Sequence, residues 1–378
     1  MLTTDDYGAT HEASSVSPAT VPIEARQPVI GLLGFAIIAV VLYLLFILPG
    51  LERSLLVLGP LSTFWLPVLV VSALWWGGWP GNKIKDGRLG AGAGNTVLFV
   101  AAAIGLTIIG MLIVGPTDVG GIFSSGIDNT TFPWTLPLAA VVFVVMLQLT
   151  FVSGKWPLQK LEPVTSGFAA LALTWAIALI IYFIFVDWAS VAPPQVLDAV
   201  GMRDPGGIMH ALEFVGLLLT IVIWQMTFFV LLGGWPFTLI EPAATRLVAS
   251  HAVVIGGGWV TYLILHDGID LTVAQIGAIG GSVTAAIFVS AMLFETWPLQ
   301  KSPPATLRAG IGAVTVGLTF AAYFGLRAMG EAIETFEAAP SELWVAIATL
   351  NFVAAMVILH YVVWGRWPLA APAPPPQQ

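Results

Sequence analysis

The sequence predicts an all-α polytopic membrane protein of about ten transmembrane helices, paired as five parallel helical-hairpin repeats that each end in Trp-Pro. Three observations carry this expectation. Of 378 residues, 58% are hydrophobic and 9% are charged. A soluble domain carries about 25% charged residues, so this chain has too little polar surface to face water. Ten stretches are apolar over the ~20 residues that a bilayer crossing requires. Finally, Trp-Pro closes a long apolar stretch five times, at Trp79-Pro80, Trp156-Pro157, Trp235-Pro236, Trp297-Pro298 and Trp367-Pro368. The copies lie 77, 79, 62 and 70 residues apart, room for two crossings each.

The elements follow in order. Residues 1–27 are polar, with Asp5, Asp6, Glu12 and Glu24 against Arg26 as the one base. That is not the basic n-region of a secretory signal, and the segment reads as a disordered cytoplasmic tail. A single ten-helix domain then fills 28–368. Helices over 28–49 and 61–78 lead to Trp79, and those over 94–114 and 134–154 lead to Trp156. Those over 167–187 and 209–234 lead to Trp235, and those over 247–266 and 276–296 to Trp297. The last pair, 306–327 and 342–366, leads to Trp367, and 369–378 is a Pro-rich tail. The segments are too continuously apolar for the alternating strands of a membrane barrel.

Around Trp-Pro the physics is that of an anchor. Trp favours the headgroup level, and proline restricts the residue before it and stops the helix. A second proline seven residues after the Trp, at Pro163, Pro242 and Pro304, can start the next helix, where its missing N–H costs nothing. Tyr182, Tyr262 and Tyr323 follow 26 or 27 residues after the Trp, a position expected near the opposite headgroups. Because each unit begins and ends on the same side, the repeats are parallel, unlike the inverted repeats of many transporters.

Charge orients the bundle. Ten of the 13 Lys and Arg lie in the tail or near Trp-Pro: Arg26, Lys83, Lys85, Arg88, Lys155, Lys160, Arg246, Lys301, Arg308 and Arg366. The opposite side holds Arg53, Arg203 and Arg327. The positive-inside rule then places the Trp-Pro side and both termini in the cytoplasm of a cell-membrane protein. The opposite side is acidic, from Glu52, Asp118 and Asp128 to Glu337 and Glu342, a solvated face or one that concentrates cations.

The chain has no cysteine, which excludes disulfides, thiolate ligands and cysteine nucleophiles. No serine triad, catalytic carboxylate pair, phosphate loop or nucleic-acid signature is visible. Polar residues inside apolar helices are costly and point to function. Gln148, Gln225, Glu295 and His360 lie near the Trp-Pro side of their helices. Gly256, Gly257 and Gly258 form a run that suits either close helix contact or local unwinding. These seven make a candidate substrate pathway. At the opposite end, His210 and Glu213 share a helix face, and His266 and Asp267 end the next helix. Two imidazoles and two carboxylates could hold a metal ion such as zinc, copper or iron at the outer surface. Asn129-Thr130-Thr131 matches a glycosylation sequon.

Three readings stand. One is a permease for a small solute or ion, with the substrate open. Another is a membrane subunit of a metal-dependent or redox enzyme complex. The third is a non-catalytic scaffold. The expected partners are the lipid bilayer and either further copies of the chain or other membrane subunits, with no nucleic acid.

Overall fold

In the computed structural model, residues 26–84, 87–115, 118–125, 129–335 and 340–369 are described. The expectations placed on the tail before Arg26, on Lys85, Asp128 and Glu337, and on the end beyond Leu369 lie outside the described residues.

The described chain is almost entirely helical. Among the described residues, nine helices are long and apolar enough to cross a membrane: α1 (Val29–Ile47), α2 (Leu51–Leu74), α3 (Gly87–Val114), α5 (Pro163–Phe185), α6 (Ala211–Leu231), α7 (Ala243–Gly268), α8 (Val273–Leu293), α9 (Pro304–Ile333) and α10 (Ser341–Val363). Between α3 and α5 lies α4 (Leu136–Val152), apolar but shorter. At 1.5 Å per residue its length is about 25 Å, just under a hydrocarbon core.

The helices sort into two layers. The even-numbered ones make a ring, with α2 on α4, α4 on α6, α6 on α8, α8 on α10 and α10 back on α2. The odd-numbered ones lie outside, and α3, α5, α7 and α9 each pack on the helix before them. Burial follows this order: the apolar stretch of α2 is 89% buried and that of α9 is 11% buried. The ring is therefore shielded from lipid by a coat of outer helices.

One backbone turn recurs at all five Trp-Pro sites. The two residues before each Trp have positive φ, from Gly77-Gly78 (58° and 83°) to Gly365-Arg366 (53° and 63°). The Trp-Pro peptide that follows is cis in every copy. Two successive left-handed residues reverse the chain after the helix, and glycine adopts them at no steric cost. Before the turn, α4, α6, α8 and α10 each end in a π turn: Gln148–Val152, Thr227–Leu231, Val289–Leu293 and Leu359–Val363. The second proline behaves as expected: Pro163 and Pro304 open α5 and α9, and Pro242 caps α7.

One boundary and one side-chain placement differ from expectation for identifiable reasons. Pro60 suggests a helix start near 61, yet α2 begins at Leu51. Pro60 has no N–H for the carbonyl of Leu56, and the side-chain amide of Asn129 supplies the donor at 3.0 Å. The sequon asparagine is thus buried, and its nitrogen is bonded to the Leu56 and Ser124 carbonyls. The tyrosines do not all face the headgroups. Tyr182 is fully buried, and its hydroxyl accepts from Trp188 Nε1 at 3.4 Å.

Candidate functional site

Two cavities lie between the ring helices. At the end away from Trp-Pro, the first turns of all five converge on a vestibule of about 1110 Å³. Glu52, Asn129, Gln275 and Glu342 bring its polar groups, with Leu212 and Leu343 beside them. Arg327 pairs with Glu342 at 3.2 Å and with Glu331 at 2.8 Å, and the Glu334 carboxylate accepts from the Leu51 and Glu52 N–H groups. Nearer the Trp-Pro side, a second cavity of about 280 Å³ is again lined from all five. Its wall is hydrocarbon and aromatic, with Leu69, Phe143, Phe229, Phe288, Met292 and Leu350 among its residues.

Between the two levels, small residues let neighbouring ring helices approach closely. A Cβ on Gly277 would meet Ala346 and Leu219 at 3.4 Å, and one on Gly281 would stand 2.3 Å from Thr349 Oγ1. So α8 touches α6 and α10 almost backbone to backbone. The apolar chamber leaves no mark in the sequence, because Leu, Phe and Met line a lumen and face lipid equally well.

Among the residues predicted as a pathway, Gln148 and Gln225 meet each other, and the rest make separate contacts. Gln225 Nε2 donates to Gln148 Oε1 at 2.6 Å and to the Val144 carbonyl at 3.1 Å, which ties α6 to α4. The glycine run lies in an unbroken stretch of α7 and is not unwound. Cβ atoms on Gly257 and Gly258 would clash with Trp224 and Ile221 of α6, whereas Gly256 faces open space. Close helix approach is therefore what this run provides.

Glu295 lies just beyond α8 with φ 51°. It accepts from Tyr361 Oη at 3.0 Å and Gln27 Nε2 at 3.4 Å, and it pairs with Arg366. Burial opposes its ionisation, but the Arg366 guanidinium and these donors outweigh that and hold the carboxyl below its ordinary value. His360 belongs to neither axial cavity and lines a groove on the outer side of α10.

The Trp-Pro face is laced around its circumference. Lys155 donates to the Leu74 carbonyl and stands 5.4 Å over the Trp75 ring, and burial lowers its pKa. Arg88 donates to the Gly365 and Leu369 carbonyls at 2.7 and 2.9 Å. Arg308 stacks 4.7 Å over Trp235, and Ser153 meets His251 at 3.2 Å. These cations thus join neighbouring turns.

At the other end, His266 lies 3.8 Å from Glu213 and 3.5 Å from Asp267. His210 does not join them. It caps α6, where its Nδ1 accepts from the Leu212 N–H at 3.3 Å. Among the described residues, no group of three or more His, Asp or Glu is arranged to hold a metal ion.

No family model, curated protein or solved structure matches this chain.

Proposed function

We propose that the chain is a multi-pass cell-membrane permease for a small uncharged solute, moving it along the axis of the five ring helices. The observation that supports this is the pair of axial cavities, each lined by residues from all five. A polar vestibule would gather the solute, and the apolar chamber would pass a molecule that need not keep a hydration shell. An ion would lose its hydration in such a chamber, which is why hydrophobic constrictions gate by dewetting. The closed contact at Gly277, Gly281 and Ala346 would be the gate.

In this reading the five hairpins are parallel repeats and α4 is a tenth crossing. The shared turn with two left-handed residues supports the repeat. The basic residues near Trp-Pro support a cytoplasmic location for that face and both termini. The test is solute-driven swelling of proteoliposomes with glycerol, urea and larger polyols, beside sodium and proton flux. Ala73, partly exposed in the apolar chamber, is the residue to enlarge. Entry of a neutral solute faster than in protein-free vesicles, abolished by Ala73→Phe, is expected. Rates equal to empty vesicles for every neutral solute, with monodisperse protein, would refute the proposal.

A further inference from the structure

Away from the axis, α1, α2, α3 and α10 enclose a groove of about 570 Å³ that runs toward Trp367 and Pro368. Its walls are aliphatic and aromatic, and no Asp, Glu, Lys or Arg lines it. Most of its few polar atoms are committed. Ser62 Oγ donates to the Gly59 carbonyl at 2.8 Å and accepts from Asn351 at 3.1 Å. Thr96 Oγ1 donates to the Gly92 carbonyl at 2.8 Å and accepts from Trp364 Nε1 at 3.1 Å.

Two polar atoms are not committed. His360 Nε2 and Trp65 Nε1 have no hydrogen-bond partner, and each residue is 7% exposed. Buried polar groups are normally satisfied, and each exception calls for a partner. His360 lies seven residues before Trp367, close to the Trp-Pro face, whereas Trp65 lies fourteen before Trp79 and deeper.

We infer that this groove is a binding site for a neutral, lipid-soluble molecule with an apolar tail and hydroxyl or carbonyl oxygens. His360 Nε2 takes the head oxygen near the membrane surface, and the indole N–H of Trp65 donates to an oxygen deeper in the groove. A tail lies along Ile38, Val41 and Met356, which replace lipid at no cost in polarity. The absence of a cation from the wall selects against phosphate-bearing heads. The site shares no residue with either axial cavity, so it does not depend on the permease proposal.

Native mass spectrometry of the full chain in detergent tests this, with titrations of monoolein, of a decyl-substituted benzoquinone and of phosphatidylglycerol. One molecule of monoolein or of the quinone is expected to bind saturably per chain, and the titration that saturates identifies the source as neutral lipid or quinone. His360→Leu should weaken that binding about fivefold, the worth of one neutral hydrogen bond. Val100 lines the groove at 52% exposure, and Val97 on the same helix faces outward at 70%. Val100→Trp should abolish binding, and Val97→Trp should leave it unchanged. Because both valines are exposed, neither change threatens the fold. Non-saturable uptake, tighter binding of phosphatidylglycerol, or equal binding by Val100→Trp and Val97→Trp would overturn the assignment.

Discussion

Two glycine substitutions of the same chemistry should have opposite outcomes. In α8, a Cβ on Gly281 would lie 2.3 Å from Thr349 Oγ1 and 2.8 Å from the Ala346 carbonyl oxygen. The Thr349 hydroxyl cannot simply turn away, because it donates to the Val345 carbonyl at 2.7 Å and lies 3.2 Å from the Ala346 carbonyl. The second obstacle is backbone. Helices α8 and α10 would have to part by roughly 1 Å, and overpacking of this kind costs about 1–3 kcal/mol. In α7, a Cβ on Gly256 meets nothing within 4 Å. There Ala gains the helix preference it holds over Gly, up to about 1 kcal/mol. Gly281→Ala should therefore lose about 2 kcal/mol relative to the wild type, and Gly256→Ala should be neutral or more stable. Reversible unfolding in mixed micelles with rising dodecyl sulfate, followed by helical circular dichroism, measures both. A Gly281→Ala protein as stable as Gly256→Ala would refute the close α8–α10 contact.

Three further predictions concern the turns and the ring. Glu295→Gln should cost about 2 kcal/mol, since it removes a charged acceptor shared by Arg366, Tyr361 and Gln27. The Glu295 carboxyl is held below its ordinary value, so its contribution is complete above the unfolded value near pH 4.3 and fades as pH falls through the folded one. The stability gap between wild type and Glu295→Gln, measured by thermal unfolding, should accordingly narrow below about pH 4. Thr296 is β-branched at φ 60°, so Thr296→Gly should stabilise by about 1 kcal/mol in the same assay. Asn351 Nδ2 joins α10 to α2 through the Gly59 carbonyl, Ser62 Oγ and Thr63 Oγ1. Asn351→Leu should cost about 1 kcal/mol in dodecyl sulfate unfolding, as interhelical bonds in membranes usually do.

Much of the architecture was legible. Apolar length located each long helix, although α2 starts ten residues early, α3 starts seven early and α9 runs six longer than expected. The helices that pack together, α2 with α3 through α8 with α9, are joined across Trp-Pro and are not the expected hairpin pairs. The turn itself was half legible. Glycine stands at one or both of the two positions before Trp in four of five copies, as in Gly77-Gly78 and Gly233-Gly234. Glu295-Thr296 hides the pattern in the fourth copy. The division into ring and coat was not legible. Glycine is common in both α8 and α9, yet Gly277 and Gly281 meet neighbouring helices while Gly312, Gly317 and Gly325 meet nothing. Small residues permit close packing without announcing where it happens.

The polar residues inside the helices are ambiguous for a related reason. Inside a bilayer a polar side chain finds another helix to bond, as Gln225 does with Gln148 and Asn351 with Ser62 and Thr63. Polarity therefore marks seams between helices more readily than it marks a lumen. A lumen suited to an uncharged solute is lined by the same Leu, Phe and Met that face lipid, and only packing around the ring separates the two. His360 escaped this confusion because it is polar and yet bonded to no helix. Its Nε2 shares that unpaired state with seam atoms such as Gln225 Oε1 and Asn351 Oδ1, and differs from them in lining a groove open to a ligand.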